Sequence, residues 1–98
     1  DWNDDAAAIN NRIRALSPQP AAYTSFNGNR FKIFKCRLIN QDATGVAAQI
    51  TKITAAGFAV QTGKGVLEIL EVQREGKKRI ASRDFIKGFD LAPGDILS

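Results

Sequence analysis

Apolar positions recur along the first sixteen residues with the period of a helix. Trp2, Ala6, Ile9, Ile13 and Leu16 lie on one stripe of a 3.6-residue repeat, which predicts a helix over residues 4–16. Asn3 is the expected N-cap, with Asp4 and Asp5 in the first turn and Arg12 and Arg14 toward the other end, charges that the helix dipole favours. Pro18 and Pro20 end the helix and impose an extended connector.

Beyond Tyr23 the period shortens to that of strands. Tyr23–Phe26, Asn27-Gly28 and Arg30–Ile39 read as a hairpin, because Asn-Gly readily adopts the positive φ of a tight turn. Gly45–Ile53 places Val46, Ala48 and Ile50 on one face. Ala55-Ala56-Gly57 is a turn into Phe58 and Val60. Gly63-Lys64-Gly65 is another turn, and Val66–Gln73 a fifth strand. Turns this closely spaced predict a small sandwich or barrel, with Val46, Ile50, Phe58, Val60, Leu67 and Ile69 in its core.

Two strands break their own alternation. Phe31 and Ile33 share a face, whereas Phe34, Cys36 and Leu38 have the opposite parity, and Leu67 and Ile69 give way to Leu70 and Val72. A β-bulge shifts parity by one residue and bends the strand; burial on both faces beneath the N-terminal helix produces the same pattern. Farther on, Glu75–Arg79 reads as a polar loop. Ser82 is the expected cap of a short helix through Lys87 that Gly88 terminates. Pro93-Gly94 is a turn, after which Asp95–Leu97 is a candidate to rejoin the sheet.

Composition narrows the chemistry. At 98 residues and 44% hydrophobic, the chain fits one domain with one modest core, and no apolar run reaches the ~18 residues of a membrane span. Cys36 is the only cysteine and histidine is absent, which excludes an internal disulfide and every His-dependent catalytic scheme. Gly63-Lys64-Gly65 lacks the upstream glycine and the following Ser or Thr of a phosphate loop. Asp84, Asp90 and Asp95 have no metal-loop spacing, and Cys36 reads as a small core residue. No catalytic or metal-binding residue is expected. With no methionine and Asp1 at its start, the chain reads as a fragment of a longer protein or a processed form.

The net charge of +4 is unevenly spread. Arg30, Lys32, Lys35 and Arg37 face only Asp42 within residues 23–45, and residues 71–90 hold six basic groups, including Lys77-Lys78-Arg79 and Arg83. Such a triplet can lie along a phosphate backbone and release counterions, or can simply be a solvated turn. Along a regular strand Arg30 and Lys32 oppose Lys35 and Arg37; a bulge near Ile33–Phe34 would bring all four to one side.

Several segments resemble the C-terminal domain of formyltransferases. These are Trp2, Ile9-x-Asn11-x-Ile13-Arg14-Ala15, Pro18-x-Pro20-Ala21-Ala22-Tyr23-Thr24, Gly28–Lys35, Thr62-Gly63-x-Gly65-x-Leu67-x-Ile69, Val72-Gln73-x-Glu75-Gly76-Lys77-Lys78-Arg79, Phe85-x-x-Gly88 and Pro93–Leu97. The resemblance covers nearly all of the chain. It departs from the family at Ala21, where Gly is usual, and at Gln19, where an aromatic is common. It implies a small open antiparallel β-barrel of the oligonucleotide-binding type, preceded by one α-helix and followed by a short C-terminal helix. Residues 1–98 would form this single domain, with a catalytic N-terminal domain elsewhere. The Glu-Gly-Lys-Lys-Arg loop points to the branch that formylates initiator methionyl-tRNA in translation initiation, using 10-formyltetrahydrofolate bound by the other domain. That reading implies a cytoplasmic protein, or one of an organelle matrix. Lys77, Lys78, Arg79, Arg83, Arg30, Lys32, Lys35 and Arg37 would contact tRNA phosphates. The alternative is an accessory domain of a nucleotide-sugar or other 10-formyltetrahydrofolate-dependent formyltransferase that touches no RNA.

Overall fold

A computed structural model describes residues 1–98. In chain order it contains α1 (Ala6–Leu16), β1 (Ala22–Phe26), β2 (Asn29–Asn40), β3 (Ile50–Ile53), β4 (Phe58–Gln61), β5 (Val66–Arg74), β6 (Arg79–Ala81) and α2 (Ser82–Phe89). All strand pairings are antiparallel, in the order β1-β2-β5-β4-β3. β4 occupies Val66–Ile69 along one edge of β5, and β6 takes Glu71–Gln73 farther along. The result is an open, barrel-like sheet with a helix before it and a short helix near its end.

The sheet curls because its two longest strands each carry extra residues. Ile33 pairs with Val72 but Lys35 with Glu71, which leaves Phe34 unpaired on β2. Lys35 pairs with Glu71 but Cys36 with Ile69, which leaves Leu70 unpaired on β5. Both broken alternations are therefore bulges, which bend the strands. Phe31, Ile33, Leu67, Ile69 and Val72 all point into one core despite the changes of parity. Ala6, Ile9 and Ile13 of α1 and Phe85 and Phe89 of α2 close that core. Burying each large side chain contributes on the order of 1.5–3 kcal/mol. Phe85 and Phe89 stack at 4.5 Å, with Phe31 against both at 4.8 and 5.5 Å.

Several expected details differ. Asp5, not Asn3, caps α1, its carboxylate accepting the Ala8 N–H at 2.8 Å, and Trp2 precedes the helix with its indole N–H donating to the Thr24 hydroxyl. Asp4 is freed to pair with Arg12 at 3.0 Å. Gly45–Gln49 is irregular rather than extended, so Val46 is 58% exposed, while Ile50, Phe58, Val60, Leu67 and Ile69 are buried. The strand is cut short because Ala48 takes a left-handed φ of 72°.

Arg79 lies in a strand, not a loop, and the turn closes over Glu75–Lys78. Ser82 does not cap α2: it is the first helical residue, buried, with its hydroxyl unpartnered. Gly88 is inside the helix, and Asp90 supplies the left-handed C-cap at φ 60°. After Gly94 the chain does return to the sheet, with Ile50 N–H donating to Asp95 O and Leu97 N–H to Ala48 O.

Candidate nucleic-acid interface

The outer face of β2 follows from its bulge. Phe31 and Ile33 point inward, the unpaired Phe34 is buried beneath the Arg79 guanidinium outside the main core, Lys35 is exposed, and Cys36 points inward again. Arg30, Lys32, Lys35 and Arg37 are consequently all exposed on one side. Pairing extends this face sideways, since Tyr23, Lys32, Gln73 and Arg79 occupy one row across β1, β2, β5 and β6.

The cations of this face fall into three states. Arg37 is held by Glu68 at 2.7 Å, and Arg79 by Glu71, with its guanidinium 4.2 Å over the Phe34 ring. Arg30 has no acid within pairing distance and lies 3.7 Å over the Tyr23 ring. Lys32, Lys35, Lys77 and Lys78 are exposed with no ion-pair partner. The only acids facing the bulged stretch, Glu68 and Glu71, are thus already committed to arginines. The Thr54 hydroxyl and then the Arg37 guanidinium hold the Glu68 carboxyl below the usual glutamate range.

Lys77 and Lys78 project from the β5–β6 turn, which Gln73 braces by donating its side-chain amide to the Lys77 carbonyl at 2.7 Å. Arg83 stands apart. It is exposed on α2, in the layer that covers the inner face of the sheet. Sequence reasoning passed over Arg74, which sits in register with Phe31 at the end of β5, its guanidinium 5.0 Å over the Phe89 ring. Its place two residues beyond the inward Val72 was the available sign that it reaches the mouth of the core.

Cys36 is half-buried, donates to the Asn10 side-chain carbonyl at 3.1 Å, and burial pushes its thiol up to about 12. Lys35 and Arg37 point to the opposite face and do not activate it. No three His, Cys, Asp or Glu side chains converge as a metal site. No helix is long and apolar enough to cross a membrane. The arrangement can attract and hold an anionic chain; it offers no acid–base pair or activated nucleophile.

Comparison with known proteins agrees with this architecture. Residues 1–90 match the family described as formyl transferase, C-terminal domain. The chain is 48% identical over 96 residues to a methionyl-tRNA formyltransferase of Syntrophomonas wolfei, a match covering 98% of the chain and 31% of the relative. Proteins of the same name from Syntrophus aciditrophicus (98% of the chain, 31% of the relative) and Solibacter usitatus (99% and 30%) are 40% and 41% identical. The chain spans about a third of the length of these relatives. It belongs to the formyl transferase C-terminal domain family.

Proposed function

We infer that this domain holds initiator methionyl-tRNA for a methionyl-tRNA formyltransferase. In that enzyme a formyl group passes from 10-formyltetrahydrofolate to the α-amino group of the methionyl residue, and a separate N-terminal domain carries the reacting groups. The observation that carries the reading is the outer face of β2 and the adjoining turn, where Arg30, Lys32, Lys35, Lys77 and Lys78 have no acidic partner. Cations arranged along an edge bind a phosphate chain, displace its counterions and fix its register without reading its bases. That the relatives are methionyl-tRNA formyltransferases favours this over a role in nucleotide-sugar formylation. On this reading 10-formyltetrahydrofolate is bound by the other domain, and this one holds the RNA. This assignment puts its work in the cytosol, or in an organelle matrix.

The test is tRNA binding by this chain as a function of salt. The Lys77→Ala/Lys78→Ala variant should weaken binding to initiator and elongator tRNA alike. It should also flatten the slope of log K against log salt by roughly 1–2. Unchanged affinity and slope would make the turn a solvated feature and return the accessory-domain reading.

A further inference from the structure

All but one of the aromatic side chains are taken up by the fold. Phe31, Phe58, Phe85 and Phe89 form the core, Trp2 and Phe26 pack against it, and Phe34 is buried beneath Arg79. Tyr23 is the exception. It stands on the outer face of β1, directly opposite Lys32, and is 62% exposed. Burial does not account for its place. Its one close partner is Arg30, whose guanidinium lies 3.7 Å over the ring and covers a single face of it.

The charges around the ring are free. Lys32 is the cross-strand neighbour of Tyr23, and Arg30 is that of Ser25, two residues along β1. Neither cation has a carboxylate within 4.0 Å. Neighbours of this kind have Cβ atoms about 4.5–5.5 Å apart, which puts ring and charge within reach of one nucleotide. Phosphate binding alone needs no exposed ring. A ring flanked by unpaired cations suits a single strand: the base stacks, the cations neutralise the backbone, and the sequence matters little. A paired stem keeps its base faces inside its own stack, so only an unpaired nucleotide can use the ring. Arg30 also restrains the ring before any ligand arrives, which lowers the cost of ordering it.

We propose that the outer edge of β1 and β2 is a stacking site for an unpaired nucleotide of the RNA, whose base lies against Tyr23 while Arg30 and Lys32 hold its phosphates. The inference rests on the tRNA-binding reading and deepens it, because it names an unpaired stretch rather than a stem as the segment held at this edge. Tyr23, which that reading leaves out, becomes a direct contact.

The test measures binding of the unaltered chain, Tyr23→Leu and Tyr23→Trp across a salt series. The probes are initiator tRNA transcript, a short single-stranded RNA and a blunt RNA duplex of the same strand length. Leucine keeps apolar bulk on the strand without a π face; thermal unfolding should confirm that the domain remains folded. Tyr23→Leu should lose about tenfold in affinity for the tRNA and the single strand, the scale of one stacked base. It should bind the duplex within about twofold of the unaltered chain and keep the same salt slope, because no charge is removed. Tyr23→Trp keeps a stacking surface and should bind the single strand at least as tightly as the unaltered chain. Full affinity of Tyr23→Leu for tRNA and single strand, alongside a loss in the Lys77→Ala/Lys78→Ala variant, overturns the stacking site and leaves the tRNA reading standing. Full affinity in both variants overturns both. An equal loss on single strand and duplex, or a flattened slope, also overturns the site, because Tyr23 would then act only by placing Arg30. So does a Tyr23→Trp variant as weak as Tyr23→Leu, or a preference of the unaltered chain for the duplex.

Discussion

The two ends of the β2–β5 pair are built differently. At one end the chain crosses over itself. The Gly63 N–H donates to Trp2 and Asp4 carbonyls, Ala6 N–H to Lys64 O, and the buried Gln61 amide to the carbonyls of Ala43 and Thr62 at 2.9 and 3.0 Å. Cations there are partnered, Arg12 with Asp4 and Lys64 with Asp42 at 4.0 Å. At the other end two hairpin turns project into solvent, and six cations with no acid partner, Arg30, Lys32, Lys35, Arg74, Lys77 and Lys78, surround them or continue along β2. One end spends its polar groups on holding the fold. The other leaves its charge free, held in place from behind by an aromatic cluster and a single brace from Gln73. A small domain can keep a concentrated unpaired charge only where repulsion is relieved by water, so rigidity is invested at the opposite end.

Glycine substitution should expose this contrast most strongly. A Cβ on Gly63 would stand 1.9 Å from the Asn3 carbonyl oxygen, whereas one on Gly76 would meet nothing within 4 Å and strain only its φ of 75°. Gly63→Ala should therefore cost about 3 kcal/mol or more in denaturant unfolding, against about 1 kcal/mol for Gly76→Ala. Equal losses would mean that the crossing is not the rigid end.

A smaller effect is expected where the two regions meet, at Glu68. Its carboxyl is buried and paired with an exposed arginine, so Glu68→Gln should cost about 1–2 kcal/mol near neutral pH. Folding lowers this group's pKa below the ordinary value of 4.5. Its contribution is accordingly full above that value and lost as pH falls through the lower folded one. Unfolding free energies from pH 7 down to 3 should fall less steeply for Glu68→Gln than for the unaltered chain.

The smallest expected change is at the brace. Gln73→Ala frees the Lys77 carbonyl in an exposed turn, which should cost only about 0.5 kcal/mol in thermal unfolding. Amide exchange should speed up in residues 75–78 and remain unchanged in residues 61–65.

Much of the fold was legible in periodicity. The stripe of Ala6, Ile9 and Ile13 and the Asn27-Gly28 turn are local patterns, and each became the element that it implied; the breaks of parity at Phe34 and Leu70 fitted either a bulge or burial on both faces, and strand pairing decided for bulges. The errors fell where a distant partner competes with the local preference. Val46 sits in an alternating stretch, but Gln61 and the returning tail take the neighbouring backbone hydrogen bonds and break the strand. Ser82 looks like a cap, yet it is drawn into the interior, where a Cβ on Gly57 would come within 2.6 Å of its own Cβ.

The candidate interface divides along the same line. Strand period and turn chemistry act over a few residues, so the amino-acid order alone determines that one helix precedes an antiparallel sheet, and that positive charge gathers near residues 30–37 and 74–79. Which of those cations remain free is a matter of pairing between strands. Glu68 and Glu71 neutralise Arg37 and Arg79, while Tyr23 and Phe89 hold Arg30 and Arg74 open. Those partners are separated in sequence by between seven and thirty-one residues, and only the register of the folded sheet and the docking of α2 bring them together.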